Sequence, residues 1–156
     1  MGTSSESPIH FVGDPCSRVV YVTEGLLKAD ICHALMNRTF AATAGANNVS
    51  KLDALFAFLK KNGTEEIIEA QDMDKYRNVH VEKGASKIYL MARKHGLQCR
   101  RLTWNPNYKG LDDWQLALRK DAAKGSKTMT FREQYLYGVC EVSEIDACVE
   151  RWHKAQ

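Results

Sequence analysis

Three places in this 156-residue chain gather acidic side chains in patterns that suit phosphoryl chemistry. Glu24 closes the apolar run Val19-Val20-Tyr21-Val22-Thr23, Asp72-Met73-Asp74 follows the run ending at Gln71, and Asp112-Asp113 follows Lys109-Gly110-Leu111. In an extended backbone residues i and i+2 point to the same side, so Asp72 and Asp74 are expected to face one ion. Held side by side they repel until a cation neutralises them. Hard carboxylate oxygens converging from separate segments suit Mg²⁺ or Mn²⁺, which bridge to phosphate oxygens and steady a leaving oxygen. Each motif also has a plainer use. Glu24 can be a favourable charge beside a helix N-terminus, the Asp pair can cap a following helix, and Asp112 can cap the helix that begins near Leu111. The chemical reading gains weight from their order, one motif after each of three strands.

The elements that must position these acids follow from periodicity. Arg18 to Thr23 is β-branched, aromatic and continuous, as a buried strand requires, and Glu24-Gly25 ends it. Leu27, Ile31, Ala34 and Leu35 recur at helical spacing up to Asn37, and a short strand over Thr39 to Thr43 stops at Gly45. Leu52, Leu55, Phe56 and Leu59 mark a second helix closed by Asn62-Gly63. Glu66 to Gln71 is a third, rather polar strand, and Ala85, Ile88, Tyr89 and Ala92 mark a helix ending before Gly96, with Gly84 an unfavourable residue inside it. Gln98 to Trp104 is a fourth strand, and a short helix runs from Leu111 to Lys120. Four strand-helix alternations predict an α/β fold: a mostly parallel sheet of about four strands, helices on both faces, and a site at the C-terminal strand ends. Residues 1–17 are expected to be a polar leader, 18–120 the domain, and 121–156 an extension packing on it. That extension holds a stretch, Phe131 to Val139, that fits strand or helix, and a last helix capped by Ser143 and Asp146.

Composition bounds the partners. Hydrophobic residues at 44% and charged residues at 26% are ordinary globular values and exclude a membrane bundle or a disordered tail. No apolar stretch is long enough to span a bilayer, so a cytoplasmic protein with no membrane partner is expected. A formal charge of +3 permits a nucleic-acid partner without demanding one. Lys75, Arg77, Arg93, Lys94, Arg100, Arg101, Lys124, Lys127 and Arg132 are candidates for a phosphate track, although scattered basic residues usually form a solvated face. The five cysteines, Cys16, Cys32, Cys99, Cys140 and Cys148, show neither a paired framework nor zinc spacing and are read as reduced, mostly buried thiols. Trp104, Trp114 and Trp152 read as core.

Taken together, Val20 to Asp30 with its Glu24-Gly25 pair, Ala44-Gly45-Ala46-Asn47-Asn48, Asp72-Met73-Asp74-Lys75, Trp104-Asn105-Pro106 and Lys109 to Trp114 resemble a Toprim domain. The nearest likeness is to the Toprim-like domain found beside primase and helicase modules in phage, plasmid and mobile-element proteins. The resemblance covers about residues 18–120. It implies a compact Rossmann-like sheet, Glu24 as general acid and base, Asp72 and Asp74 as metal ligands, and Asp112 or Asp113 as the later acid of the metal site. It further implies Mg²⁺ or Mn²⁺ as cofactor, phosphodiester or nucleotidyl chemistry in replication or mobile-element maintenance, DNA or RNA as substrate, and a helicase or another primase module as partner. Lys28, Gly45, Lys75 and Lys109 are the candidate phosphate or nucleic-acid contacts. Lys28 stands where cellular primases often carry another acid; it is read either as lowering the number of metals, as a phosphate contact, or as an i, i+4 partner of Glu24. The 17 residues ahead of the domain are too few for a template-binding module, so a complete cellular-type primase is not expected. Two rival readings stay open: a non-catalytic module that holds nucleic acid or a replication partner, and an aspartyl-phosphate phosphatase or receiver. Against the latter, its paired acids follow the first strand, whereas here they follow the third.

Overall fold

The computed structural model describes residues 9–44, 46–123 and 139–141, with the side chains of 46–48, 121–123 and 139–141 left aside. Six strands form one sheet: β1 (His10–Val12), β2 (Val19–Glu24), β3 (Thr39–Thr43), β4 (Glu66–Glu69), β5 (Gln98–Leu102) and β6 (Val139–Glu141). The helices are α1 (Leu26–Met36), α2 (Leu52–Lys61), α3 (Val79–Lys94) and α4 (Leu111–Ala123), with 3-10 turns at Ala46–Lys51 and Met73–Tyr76. The strand order is β1-β3-β2-β4-β5-β6. β3, β2, β4 and β5 are mutually parallel, while β1 and β6 pair antiparallel to β3 and β5 at the two edges. The four parallel strands and their connecting helices bear out the expected α/β alternation.

Two parts of this architecture differ from the expectation. His10–Val12 lies within the supposed polar leader, yet it pairs residue for residue with Ala42, Ala41 and Phe40, and His10 Nε2 lies 2.7 Å from the Asp30 carboxylate on α1. Part of the expected extension, Val139–Glu141, supplies the strand beside β5. Residues 121–123 of the extension continue α4; 124–138 and 142–156, with the last helix near Ser143 and Asp146 and with Lys124, Lys127, Arg132 and Trp152, lie outside the described residues.

Alternation along the strands divides the apolar residues into two clusters. Phe40, Ala42, Ile68, Ala70 and Leu102 join Ala29 and Cys32 of α1 and Leu111 and Trp114 of α4. Val20, Val22, Ala41, Ile67 and Cys99 join Leu52, Phe56 and Leu59 of α2 and Ile88 and Ala92 of α3. Trp104 is fully buried and Trp114 nearly so, as expected of core residues. Among the described cysteines, Cys32 and Cys99 are buried and Cys16 is exposed, all three free. Burial pushes the Cys32 thiol up to about 12, with the nearby Asp112 carboxylate adding to the shift, so it stays protonated and inert at neutral pH.

The polar look of β4 has a physical cause. Glu69 is paired in register with Arg101 of β5, and their side chains meet at 2.8 Å while both are almost fully buried. Lys75 reaches in from the Met73–Tyr76 turn to place its ammonium 2.9 Å from Glu69 and 2.8 Å from the Leu102 carbonyl. Arg101 also meets Glu82 of α3 at 2.9 Å, and the Lys75 ammonium stands 5.2 Å from the centre of the Trp104 ring. Burial drives Lys75 down to about 8 even though Glu69 opposes it. Burial likewise works to raise Glu69, but Lys75 and Arg101 outweigh it and hold the carboxyl below its usual range.

Removing one member of such a buried group leaves its partners uncompensated, so Glu69→Gln should lower unfolding stability by roughly 3 kcal/mol or more in urea at pH 7. A folded pKa held below the unfolded one stabilises above the unfolded value and loses that contribution as pH falls through the folded one. The gap between wild type and Glu69→Gln should therefore narrow as the pH drops below the ordinary glutamate value of 4.5. A gap that is small at pH 7, or constant down to low pH, would contradict the assignment.

Candidate functional site

In an open parallel sheet ligands sit outside the carboxyl ends of the strands, where the direction of strand addition reverses. Here the chain enters at β2, adds β3 on one side and then crosses to add β4 on the other. The crevice between β2 and β4 is therefore the switch point, and Glu24 ends one flank while Asp72 follows the other. Gly25 makes the exit from β2 possible: its φ of 95 is in the region that favours glycine, and its N–H donates to the Thr43 carbonyl at 2.8 Å.

The other acids reach the same edge through the loop after β5. Trp104 Nε1 donates to the Tyr108 carbonyl at 2.8 Å, and Met73 N–H donates to the Lys109 carbonyl at 2.9 Å. These bonds lay the Tyr108-Lys109-Gly110 segment against the Asp72-Met73-Asp74 turn. Gly110 packs closely there: a Cβ added to it would stand 2.5 Å from Asp112 Oδ1 and 3.3 Å from Lys28 Cε. Lys28, Asp112 and Asp113 thus crowd around Gly110, and a side chain there would push the Asp112 carboxylate aside.

Two lysines meet the acids. Lys28 Nζ lies 2.7 and 2.8 Å from the two oxygens of Asp72, with Asp72 nearly buried. Lys109 Nζ lies 3.3 Å from Asp74 Oδ2, both well exposed. Asp74 raises the Lys109 ammonium above its usual range, and Asp72 and Glu24 add to the effect, which puts Glu24 within electrostatic reach of Lys109. Burial, reinforced by Asp113, raises Asp112. Beyond Lys109 the edge opens into a groove of about 670 Å³ walled by Tyr108, Asp113, Leu116 and Lys120.

The structure thus brings Glu24, Lys28, Asp72, Asp74, Lys109, Asp112 and Asp113 to one edge. Three readings of the sequence need correction. Lys28 is the partner of Asp72, not of Glu24, because α1 carries it over the β2–β4 crevice. Lys75 offers nothing to a phosphate: it is buried, and its charge is committed to Glu69. The candidate basic track also loses members: Arg101 is buried with Glu69 and Glu82 and Arg100 pairs with Glu66, while Lys124, Lys127 and Arg132 lie outside the described residues. Gly45 lies outside the described residues.

The donor set suits a hard divalent ion in kind, being made of carboxylates, and Asp112 Oδ1 is buried without a hydrogen-bond partner. Among the described residues, however, no three acidic, histidine or cysteine side chains stand close enough together to hold one ion. Lys28 and Lys109 supply part of the charge such an ion would bring. Compared with protein-family models and with curated proteins, the chain gives no match.

Because Asp72 is nearly buried and held by both oxygens, its pair with Lys28 should be worth more than an exposed one. A double-mutant cycle with Lys28→Met and Asp72→Asn should return a coupling of about 1–3 kcal/mol in metal-free buffer. A coupling within about 0.3 kcal/mol of zero would mark it as an ordinary surface pair.

Proposed function

We propose that this chain is a Toprim-like domain acting on phosphodiester or nucleotidyl bonds of DNA or RNA with Mg²⁺ or Mn²⁺. The observation that carries the reading is the convergence of Glu24, Asp72, Asp74, Asp112 and Asp113 on the carboxyl edge of the parallel strands, beside the switch point. The two apolar clusters support the rest of the fold assignment, with α1 and α4 layered on one side of the sheet and α2 and α3 on the other. The Toprim identity itself rests on the motif order, and a helicase or another primase module is the partner that identity suggests.

In this reading Asp72, Asp74 and Asp112, with Asp113 beside them, would have to draw closer together than they stand here to hold the metal. When bound, it polarises a phosphoryl group and steadies the leaving oxygen. Glu24 stays free of ion pairs among the described residues and accepts a proton from the attacking hydroxyl. Lys28 holds Asp72 in place through both oxygens, and Lys109 can leave the exposed Asp74 for a substrate phosphate, since solvent-exposed pairs hold their partners weakly.

A second reading, a non-catalytic module that binds nucleic acid or a replication partner, is favoured by one observation: Asp72 and Asp74 are already neutralised by lysines. Turnover of labelled DNA and RNA with Mg²⁺ or Mn²⁺ separates the two. Under the catalytic reading Glu24→Gln, which keeps the shape but cannot accept a proton, should lower activity about 100-fold while leaving folding intact. Activity that is unchanged in Glu24→Gln would defeat the proton-transfer role, and nucleic-acid binding without metal-dependent turnover would favour the second reading.

A further inference from the structure

Glu24 does not stand alone at the strand edge. Its register partner on β3 is Thr43. On the other side Val22 pairs with Glu69 and accepts from the Ala70 N–H at 2.8 Å. β4 ends at Glu69, and Gln71 stands two residues beyond it, as Glu24 stands two residues beyond Val22. Side chains two apart share a face, and Val22, like Ala41 next to Thr43's own row, belongs to the cluster beneath α2 and α3. Thr43 and Glu24 are thus paired at the ends of β3 and β2, and Gln71 follows the end of the adjacent β4, so the three polar residues border the switch point.

This row is unusual in its hydrogen bonding. Thr43 and Gln71 are fully buried, and Thr43 Oγ1, Gln71 Nε2 and Gln71 Oε1 have no hydrogen-bond partner. A buried polar group left unpaired costs about 1–3 kcal/mol, and native proteins seldom keep three such atoms together without a use for them. Among the described residues Gln71 is bonded through its main chain, whose N–H donates to Glu69 Oε2 at 2.7 Å, which fixes the backbone and leaves the amide uncommitted.

We infer that Thr43 and Gln71 form, with Glu24, a pocket for the attacking hydroxyl, either water or a sugar 3′-hydroxyl. The chemistry is complementary. A hydroxyl has one proton to give and two lone pairs to fill; the Gln71 amide and the Thr43 hydroxyl can donate to the lone pairs while the Glu24 carboxylate takes the proton. A phosphate would not suit, because Glu24 would repel it. As the hydroxyl oxygen forms the new P–O bond its proton passes to Glu24, the old P–O bond breaks, and the leaving oxygen is protonated by solvent. This inference rests on the proposed proton-transfer role of Glu24 and adds the two residues that would hold the nucleophile against it.

The test uses the full chain with Mn²⁺, Thr43→Val and Gln71→Met, and two single-stranded DNA oligonucleotides that differ only in a 3′-hydroxyl or a 3′-deoxy end. Without DNA both variants should melt at or above the wild type, by up to about 4 °C, since each removes unpaired buried atoms. If the nucleophile is the sugar, the wild type should prefer the 3′-hydroxyl end by about 10-fold, the worth of one good hydrogen bond, and both variants should lose that preference. If the wild type prefers neither end, water is the nucleophile, and hydrolysis of the same strand should fall at least about 10-fold in both variants. No end preference together with unchanged hydrolysis would overturn the pocket while leaving the nucleic-acid reading standing. Variants that melt well below the wild type would also overturn it, by showing that these atoms already have partners. If neither oligonucleotide nor the RNA strand of the same sequence binds or is cut, the nucleic-acid reading fails, and the pocket fails with it.

Discussion

Carboxylates collected at one edge of a sheet repel one another, and the fold has to balance that charge before anything else there can be ordered. Asp72 is nearly buried and Asp112 carries a buried oxygen, so water alone screens them poorly. The balance comes from two lysines of different standing. Lys28 projects from α1 across the β2–β4 crevice and holds both oxygens of Asp72. Lys109 lies on the loop after β5 and touches Asp74 from solvent. Gly110 leaves the room that lets Lys28 and Asp112 come this close. One fixed cation and one exchangeable cation leave the edge able to take up a further charge.

The turn that carries Asp72 and Asp74 is anchored from below by the same principle in drier surroundings. Lys75, the next residue in that turn, is pulled under the sheet edge by Glu69 and the Leu102 carbonyl, and Arg101 ties Glu69 on to Glu82 of α3. Met73 N–H, bonded to the Lys109 carbonyl, fixes the turn from the other side. The acids are thus mounted on a segment held at both ends by buried or main-chain bonds, the kind of support a catalytic constellation needs to keep its geometry. Glu24 sits on a strand end, with Thr43 beside it on β3 and Gln71 just past the end of β4.

Local pattern made the parallel core legible. β2 and β3 have apolar or β-branched runs bounded by Gly or Asn, and helical spacing marked three of the four helices, so the alternation placed β4, β5 and the acids at the strand ends. What escaped was set by contacts far apart in sequence. His10–Val12 is three residues long, too short to carry a period, and becomes a strand only because β3 offers it an edge. Lys75 and Arg101 look like any surface bases until Glu69 and Glu82 are seen beneath them. The polar character of β4 was a signal for that network: a buried strand with two glutamates needs cations on its neighbour, and Arg100 and Arg101 follow in β5. Thr43 and Gln71 gave no signal, since neither residue type nor spacing tells that a side chain is buried and unpaired.

The account turns on whether the acidic edge takes up a divalent ion in spite of its lysines. The direct measurement is the electron-paramagnetic-resonance signal of free Mn²⁺ titrated with the protein, for the wild type and for Asp72→Asn/Asp74→Asn checked for an intact fold by circular dichroism. Ligands that combine carboxylates with water bind this ion through charge, so removing two of them should remove the site. The account predicts that the wild type depletes the free Mn²⁺ signal at stoichiometric protein and that the double variant does not; equal depletion by both proteins, or none by either, would contradict it.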